Sequence, residues 1–251
     1  MKKSGRLVQR LVQLGFLVAL LLAWHISTVT GAINPLILPT VPSVYDQFVK
    51  LVGSGAFWPH LQITLYEYLV SMCIFIPTGL AVGYLVSRSR YCVRTFDPLL
   101  SGLYAIPQII LLPVYILYFG LGPGSKIAVG ATIGFFPVVL NTIAGFATID
   151  ALYITAAKSM GASGFKMFWS VMVPAAWPVV LTGLRIGLII SFLAILGTET
   201  IVSLSGLGHR IVTLAELLNT SLMFAYILFA IMVAVVLNYV VSSAEARGRR
   251  H

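Results

Sequence analysis

Charge is scarce in this chain of 251 residues: 9% are Asp, Glu, Lys or Arg, and only seven are acidic. A soluble domain is about a quarter charged and about 45–50% apolar, whereas here 59% of residues are hydrophobic and the mean hydropathy is +0.99. An apolar excess of that size needs lipid to cover it, which excludes a soluble fold. Cysteine is nearly missing. Cys73 sits in an apolar run and Cys92 in a short basic loop, so neither a disulfide framework nor paired metal-ligand spacing exists. His25, His60 and His209 are scattered and no HExxH array links them, which argues against a metal or catalytic centre. No GxxxxGK[ST] occurs, so the chain brings no nucleotide site, and no cofactor is expected on it. Internal repeats and low-complexity segments are lacking as well. The formal net charge of +9 comes from short basic clusters between apolar runs, without the aromatic interleaving of a nucleic-acid-binding face.

What is present is a series of long apolar stretches. A hydrocarbon core about 30 Å thick needs about 20 helical residues at about 1.5 Å each, and hydropathy predicts six such spans, near 11–30, 64–87, 98–120, 126–148, 175–198 and 222–242. The fold class expected is therefore all-α, a polytopic membrane protein forming a single domain over 1–251. Residues 1–29 imitate a signal peptide, with Lys2, Lys3, Arg6 and Arg10 before an apolar core, but that core is long enough to span and is expected to be retained. Basic residues at 2, 3, 6, 10, 88, 90, 94, 158, 166, 247, 249 and 250 fall on one side of the six-span arrangement, against Lys50, Lys126 and Arg210 on the other. The positive-inside rule then places both termini in the cytoplasm.

Smaller features fit between the spans. Val44 to Val52 mixes apolar and polar residues at helical spacing after Pro35, Pro39 and Pro42, predicting a short amphipathic interfacial helix. Pro107 and Pro113 remove hydrogen bonds from the third span, leaving kinks or breaks of the kind that line a pathway or merely adjust packing. Residues 120–125, Gly-Leu-Gly-Pro-Gly-Ser, form a tight turn. Ser205-Gly206-Leu207-Gly208 forms another, leading into a helix near Ile211 to Leu218.

The connection over about 149–174 is long. It reads as two short helices broken at Gly161, which takes positive φ, with Ser163 capping the second. Small Ala156 and Ala157 admit another backbone closely. Leu152, Ile154, Phe165, Phe168 and Trp169 leave more apolar surface than a solvated loop exposes, so a partner is expected to cover it.

Ala156-Ala157, Gly161, Val171 and Val173-Pro174 together resemble the "EAA" loop of binding-protein-dependent ABC importer permeases, whose pattern runs Glu-Ala-Ala, Gly, Ile-x-Leu-Pro. Thr155 stands where the family has Glu, and Val171 and Val173 replace the two aliphatics. Leu38-Pro39, Pro42-Ser43-Val44, His60, Thr64-Leu65, Ile106-Pro107, Leu112-Pro113, Phe119-Gly120-Leu121-Gly122 and Thr182-Gly183-Leu184-Arg185 are similar to the nitrate/sulfonate/taurine branch, a resemblance over about 35–240. Glu67 departs from it, since relatives usually carry a basic residue there. The resemblance implies a type I importer permease of a bacterial inner membrane, not itself an enzyme, with Thr155, Ala156, Ala157, Lys158, Gly161, Ala162, Phe165, Val173 and Pro174 docking on a cytoplasmic ATPase dimer that holds ATP-Mg. It further implies a second permease copy, an extracytoplasmic substrate-binding protein, surrounding lipid and a small anion such as nitrate, sulfonate, taurine or an organic carboxylate as cargo. On residues alone a secondary transporter or a polytopic membrane enzyme stays open, although no coupling-ion site, paired repeat or converging catalytic set is visible.

Pro107, Pro113, Arg185 and Glu199 are the candidate pathway residues. Arg185, near the middle of span five, must face protein or water. It either attracts an anionic substrate or pairs structurally. Glu199 and Glu67 are expected near the outer ends of their spans, Glu199 as a gate or binding-protein contact or as an ordinary solvated carboxylate.

Overall fold

The computed structural model describes the backbone of residues 2–248 and the side chains of 11–239 and 242; Arg249 and Arg250, which enter the charge count, lie outside the described residues. Among those described, every regular element is helical. Helices α1 (Lys2–Val29), α3 (Trp58–Ser87), α6 (Pro123–Ala147), α9 (Val173–Ile201) and α11 (Thr220–Gly248) contain stretches long and apolar enough to cross a bilayer. The expected third span is two pieces, α4 (Arg90–Ala105) and α5 (Leu112–Phe119) with a 3₁₀ turn at Gln108–Leu111, bent by 77°. Pro107 makes the break. Gln108 then satisfies the carbonyls it frees, donating from Nε2 to Leu103 O at 2.8 Å and Ile106 O at 3.1 Å. Pro113 falls at the start of α5, where a missing N–H costs nothing, so it starts a helix and kinks none. The interfacial helix expected at 44–52 is α2 (Val41–Ser54), N-capped by Thr40.

The chain groups into two compact units, Met1–Pro59 with Arg210–Ile231, and His60–His209 with Met232–His251. In the first, Trp24 Nε1 donates to Pro39 O at 2.8 Å, the Trp24 and Phe224 rings lie 5.6 Å apart, and Phe57 packs on Phe229 at 4.4 Å. The side chains of α1 from Leu11 onward are nearly all exposed, as suits a helix surrounded by lipid or another subunit.

The second unit is built on α3, α6 and α9. Without a hydrophobic drive between helices in lipid, close backbone approach supplies the packing energy. A Cβ on Gly183 of α9 would stand 2.4 Å from Asn141 Cβ and 2.7 Å from Pro137 O of α6, and one on Gly83 of α3 would stand 2.5 Å from Thr142 Cβ. Val129, Val138, Val139 and Ile143 of α6 are fully buried between the flanking helices. Polar ties cross the same seam: Ser71 and Ser191 hydroxyls lie 3.3 Å apart, and Tyr68 Oη donates to Leu188 O at 3.2 Å.

Candidate functional site

The segment between α6 and α9 folds as α7 (Ala151–Ser159) and α8 (Gly164–Met167). Asp150 caps α7 by accepting from Leu152 N at 2.9 Å, a cap that Asp before an apolar run signals and that the sequence reading passed over. Gly161, at φ +79°, ends α7 as expected. Gly161 N donates to Lys158 O and Ala162 N to Ala157 O, both at 2.9 Å, which is a Schellman closure. Ser163 occupies the N-cap position of α8 in extended geometry, but its side chain makes no capping hydrogen bond, which corrects that expectation. The second helix is also no separate piece: α8 continues through a π turn at Phe168–Met172 into α9, so Val173 and Pro174 open the long helix. α8 and a membrane-crossing element are thus one continuous helical run.

Thr155, Ala156, Lys158, Gly161 and Phe165 are exposed, Ala162 is half-buried, and Ala157 is buried against its own chain. Leu152, Tyr153, Met160 and Phe165 are 71%, 62%, 86% and 79% exposed, an apolar surface on the connection from α6 to α9. Phe168 is not part of it, contrary to expectation. Its ring packs against Tyr84 of α3 at 4.8 Å and stacks on Phe146 of α6 at 6.1 Å.

The start of α3, the start of α6 and the end of α9 meet at the opposite ends of these helices from that connection, where Thr64, Glu67, Lys126 and Glu199 are each 1% exposed or less. Glu199 is therefore no solvated carboxylate at a mouth, and Glu67 is not exposed either. The chain after α9 folds back, and helix α10 (Leu207–Glu216) presents its N-terminus to Glu199. Glu199 accepts from Thr64 Oγ1 at 2.6 Å and from Gly208 N at 2.7 Å, while Thr64 Oγ1 accepts from Leu207 N at 2.9 Å. A carboxylate and a hydroxyl thus each satisfy one orphan N–H at the positive end of a helix. Gly206, at φ +109°, belongs to the same turn; a Cβ there would fall 2.2 Å from Glu199 Oε1. Lys126 bonds the carbonyls of Leu121 and Gly122 and interacts electrostatically with both Glu67 and Glu199. Two carboxyls, one ammonium and a hydroxyl form one buried polar knot, in which Glu67 Oε2 has no hydrogen-bond partner.

Arg185 is half-buried on α9, fourteen positions before Glu199, and Pro107 and Pro113 are exposed at the bend of the broken helix pair. The four expected pathway residues are thus not gathered into one site. Among the described residues no group of three or more His, Cys, Asp or Glu side chains is placed to hold a metal.

Residues 75–247 match the family model described as binding-protein-dependent transport system inner membrane component. The chain is 29% identical to the taurine transport system permease protein TauC of Escherichia coli (strain K12), over 94% of this chain and 88% of that protein. It is 32% identical to the putative aliphatic sulfonates transport permease protein SsuC of Bacillus subtilis (strain 168), over 92% and 84%. Among solved structures, the inward-facing MetNI methionine ABC transporter superposes with a TM-score of 0.67 at 19% identity, covering 77% of this chain and 98% of that one, which supports the fold. With five or six apolar helices, a broken third span and this match across most of its length, the chain belongs to the family of inner-membrane permease components of binding-protein-dependent ABC importers.

Proposed function

We propose that two copies of this chain enclose the substrate path of an importer, with both termini and the α7–α8 segment on the cytoplasmic side. That segment seats in a groove on a separate ATPase dimer, which binds and hydrolyses MgATP; Thr155, Ala156, Lys158, Gly161 and Phe165 face the groove. Closure of the dimer moves α8, and the continuous helix through the π turn carries that movement into α9, tilting it and switching access. An external binding protein delivers the cargo, a small sulfonate anion such as taurine or an aliphatic sulfonate, the compounds named for the relatives above. Arg185 supports an anionic cargo, being the one Lys or Arg between positions 167 and 209.

The observation that carries the coupling role is the exposure of Leu152, Tyr153 and Met160 on α7 and its C-cap and of Phe165 on α8, the piece that runs on into α9. The double variant Leu152→Glu, Phe165→Glu changes two exposed side chains and leaves the fold intact. In proteoliposomes containing the cognate ATPase and binding protein, it is expected to lower binding-protein-stimulated ATP hydrolysis at least about tenfold, the effect of about 1.4 kcal/mol of lost interface energy. Unchanged assembly and stimulation refute the assignment.

A further inference from the structure

A cavity of about 400 Å³ lies between α3, α6 and the π turn leading into α9, with Tyr84, Phe146, Phe168, Trp169 and Trp177 among its walls. Its volume is within the range of about 300–1,000 Å³ usual for small-ligand pockets. The wall is hydrocarbon in character: Thr142 contributes a hydroxyl, but that hydroxyl already donates to Val138 O at 2.6 Å. A polar solute gains nothing there. An acyl chain does, and Tyr84, Trp169 and Trp177 are the amphipathic rings that favour the boundary between hydrocarbon and headgroups.

The charged residues that follow or precede the wall segments most closely are mainly basic. Arg88 stands in the turn just past the end of α3, four residues after the wall residue Tyr84, and Lys166 lies on α8, three residues before the wall residue Trp169. Both are exposed. No Asp or Glu occurs in 77–88, 139–149 or 164–180, the three segments that form the walls, and Asp150, just beyond the second, is engaged as the cap of α7. An apolar slot between membrane helices with basic side chains at its rim is the arrangement that holds an anionic headgroup over a buried chain. We propose that this cavity is a binding site for one anionic phospholipid, with an acyl chain against Phe146 and Phe168 and the phosphate between Arg88 and Lys166. The occupant packs against the π turn through which α8 runs into α9, so its presence stiffens that junction.

The test uses the full chain with Trp24→Phe and Trp58→Phe, which leaves Trp169 and Trp177 as the sole tryptophans. Their fluorescence is titrated in phosphatidylcholine vesicles with acyl-brominated phosphatidylglycerol or with acyl-brominated phosphatidylcholine. Brominated phosphatidylglycerol is expected to quench at a mole fraction about 30-fold lower, the preference that two basic residues facing an anionic headgroup confer. Adding Arg88→Gln and Lys166→Gln, both on exposed side chains, is expected to merge the two curves. Ala81→Phe, which fills the cavity, is expected to do the same while Tm is unchanged. Equal curves in the parent protein indicate ordinary lipid-facing surface and overturn the proposal. Quenching by neither lipid shows a protein cover and overturns it too, and a preference that survives the Arg88→Gln, Lys166→Gln change places the headgroup elsewhere.

Discussion

Replacing Glu199 separates a carboxylate that merely sits at a helix end from one that ties the end of α9 to the start of α3 and of α10. In the structure its two oxygens each accept a short hydrogen bond, from Thr64 Oγ1 at 2.6 Å and from Gly208 N at 2.7 Å, in a site 1% exposed. Hydrogen bonds to a charged group contribute about 1.5–3 kcal/mol each, and a buried donor left unmatched costs about 1–3 kcal/mol. Glu199→Ala removes both acceptors and strands Gly208 N, so a loss of about 3–5 kcal/mol is expected, the range for breaking a buried charged network. Glu199→Gln behaves differently. Its amide oxygen can accept from Gly208 N while its NH₂ donates to Thr64, whose hydroxyl then turns to His60 O, already 3.2 Å away. Only charge assistance is lost, about 1–2 kcal/mol.

At about 2–4 °C per kcal/mol for a chain of this size, thermal unfolding in detergent or nanodiscs is expected to fall by about 10 °C for Glu199→Ala and by about 4 °C for Glu199→Gln. A double-mutant cycle of Glu199→Ala with Thr64→Val is expected to show a coupling of about 1–2 kcal/mol, because either change removes the one hydrogen bond the two groups share. A solvated carboxylate predicts something else: both variants within about 0.5 kcal/mol of the parent and no coupling to Thr64. That outcome refutes the buried-knot reading.

Gly183→Ala places a methyl group 2.4 Å from Asn141 Cβ and 2.7 Å from Pro137 O, and backbone on the facing helix cannot move aside cheaply; a loss of about 1–3 kcal/mol is expected in the same unfolding assay, with Gly197→Ala, which meets nothing within 4 Å, as the silent control. Asp150→Ala removes the α7 cap and is expected to cost about 1 kcal/mol locally, read as faster amide exchange at Leu152 and Tyr153 while global Tm is nearly unchanged, whereas Asp150→Asn restores protection.

The membrane helices were legible because transfer from water to lipid dominates their placement, and a window of about 20 apolar residues reports that energy directly. Gly161 was legible for a local reason: a residue that takes positive φ after an Ala-rich turn ends the helix wherever the rest of the chain lies. Glu199 was misread because its environment is made by α10 and α3, which lie 8 and 135 positions away at Leu207 and Thr64, and no periodicity along α9 records a chain that folds back over its own end. A signal did exist. Glu67, Lys126 and Glu199 are isolated charges at the same end of three spans that are otherwise almost uncharged, and a Ser-Gly-Leu-Gly turn that allows a backbone to press on a carboxylate follows the last of them. Charges that recur at one depth in separate membrane helices have water, lipid headgroups or each other as partners. The turn glycines favour the last, since a solvated carboxylate has no need of a backbone lacking Cβ atoms at Gly206 and Gly208. Phe168 follows the same logic: it was grouped with the exposed aromatics because a loop ending at Pro174 was expected, whereas the proline is tolerated in the first turn of α9 and the helix reaches back through a π turn that rotates Phe168 onto Tyr84 and Phe146. Where an element begins decides which face its side chains take, and here a shift of one helical turn divides the surface that awaits a partner from the wall of a cavity.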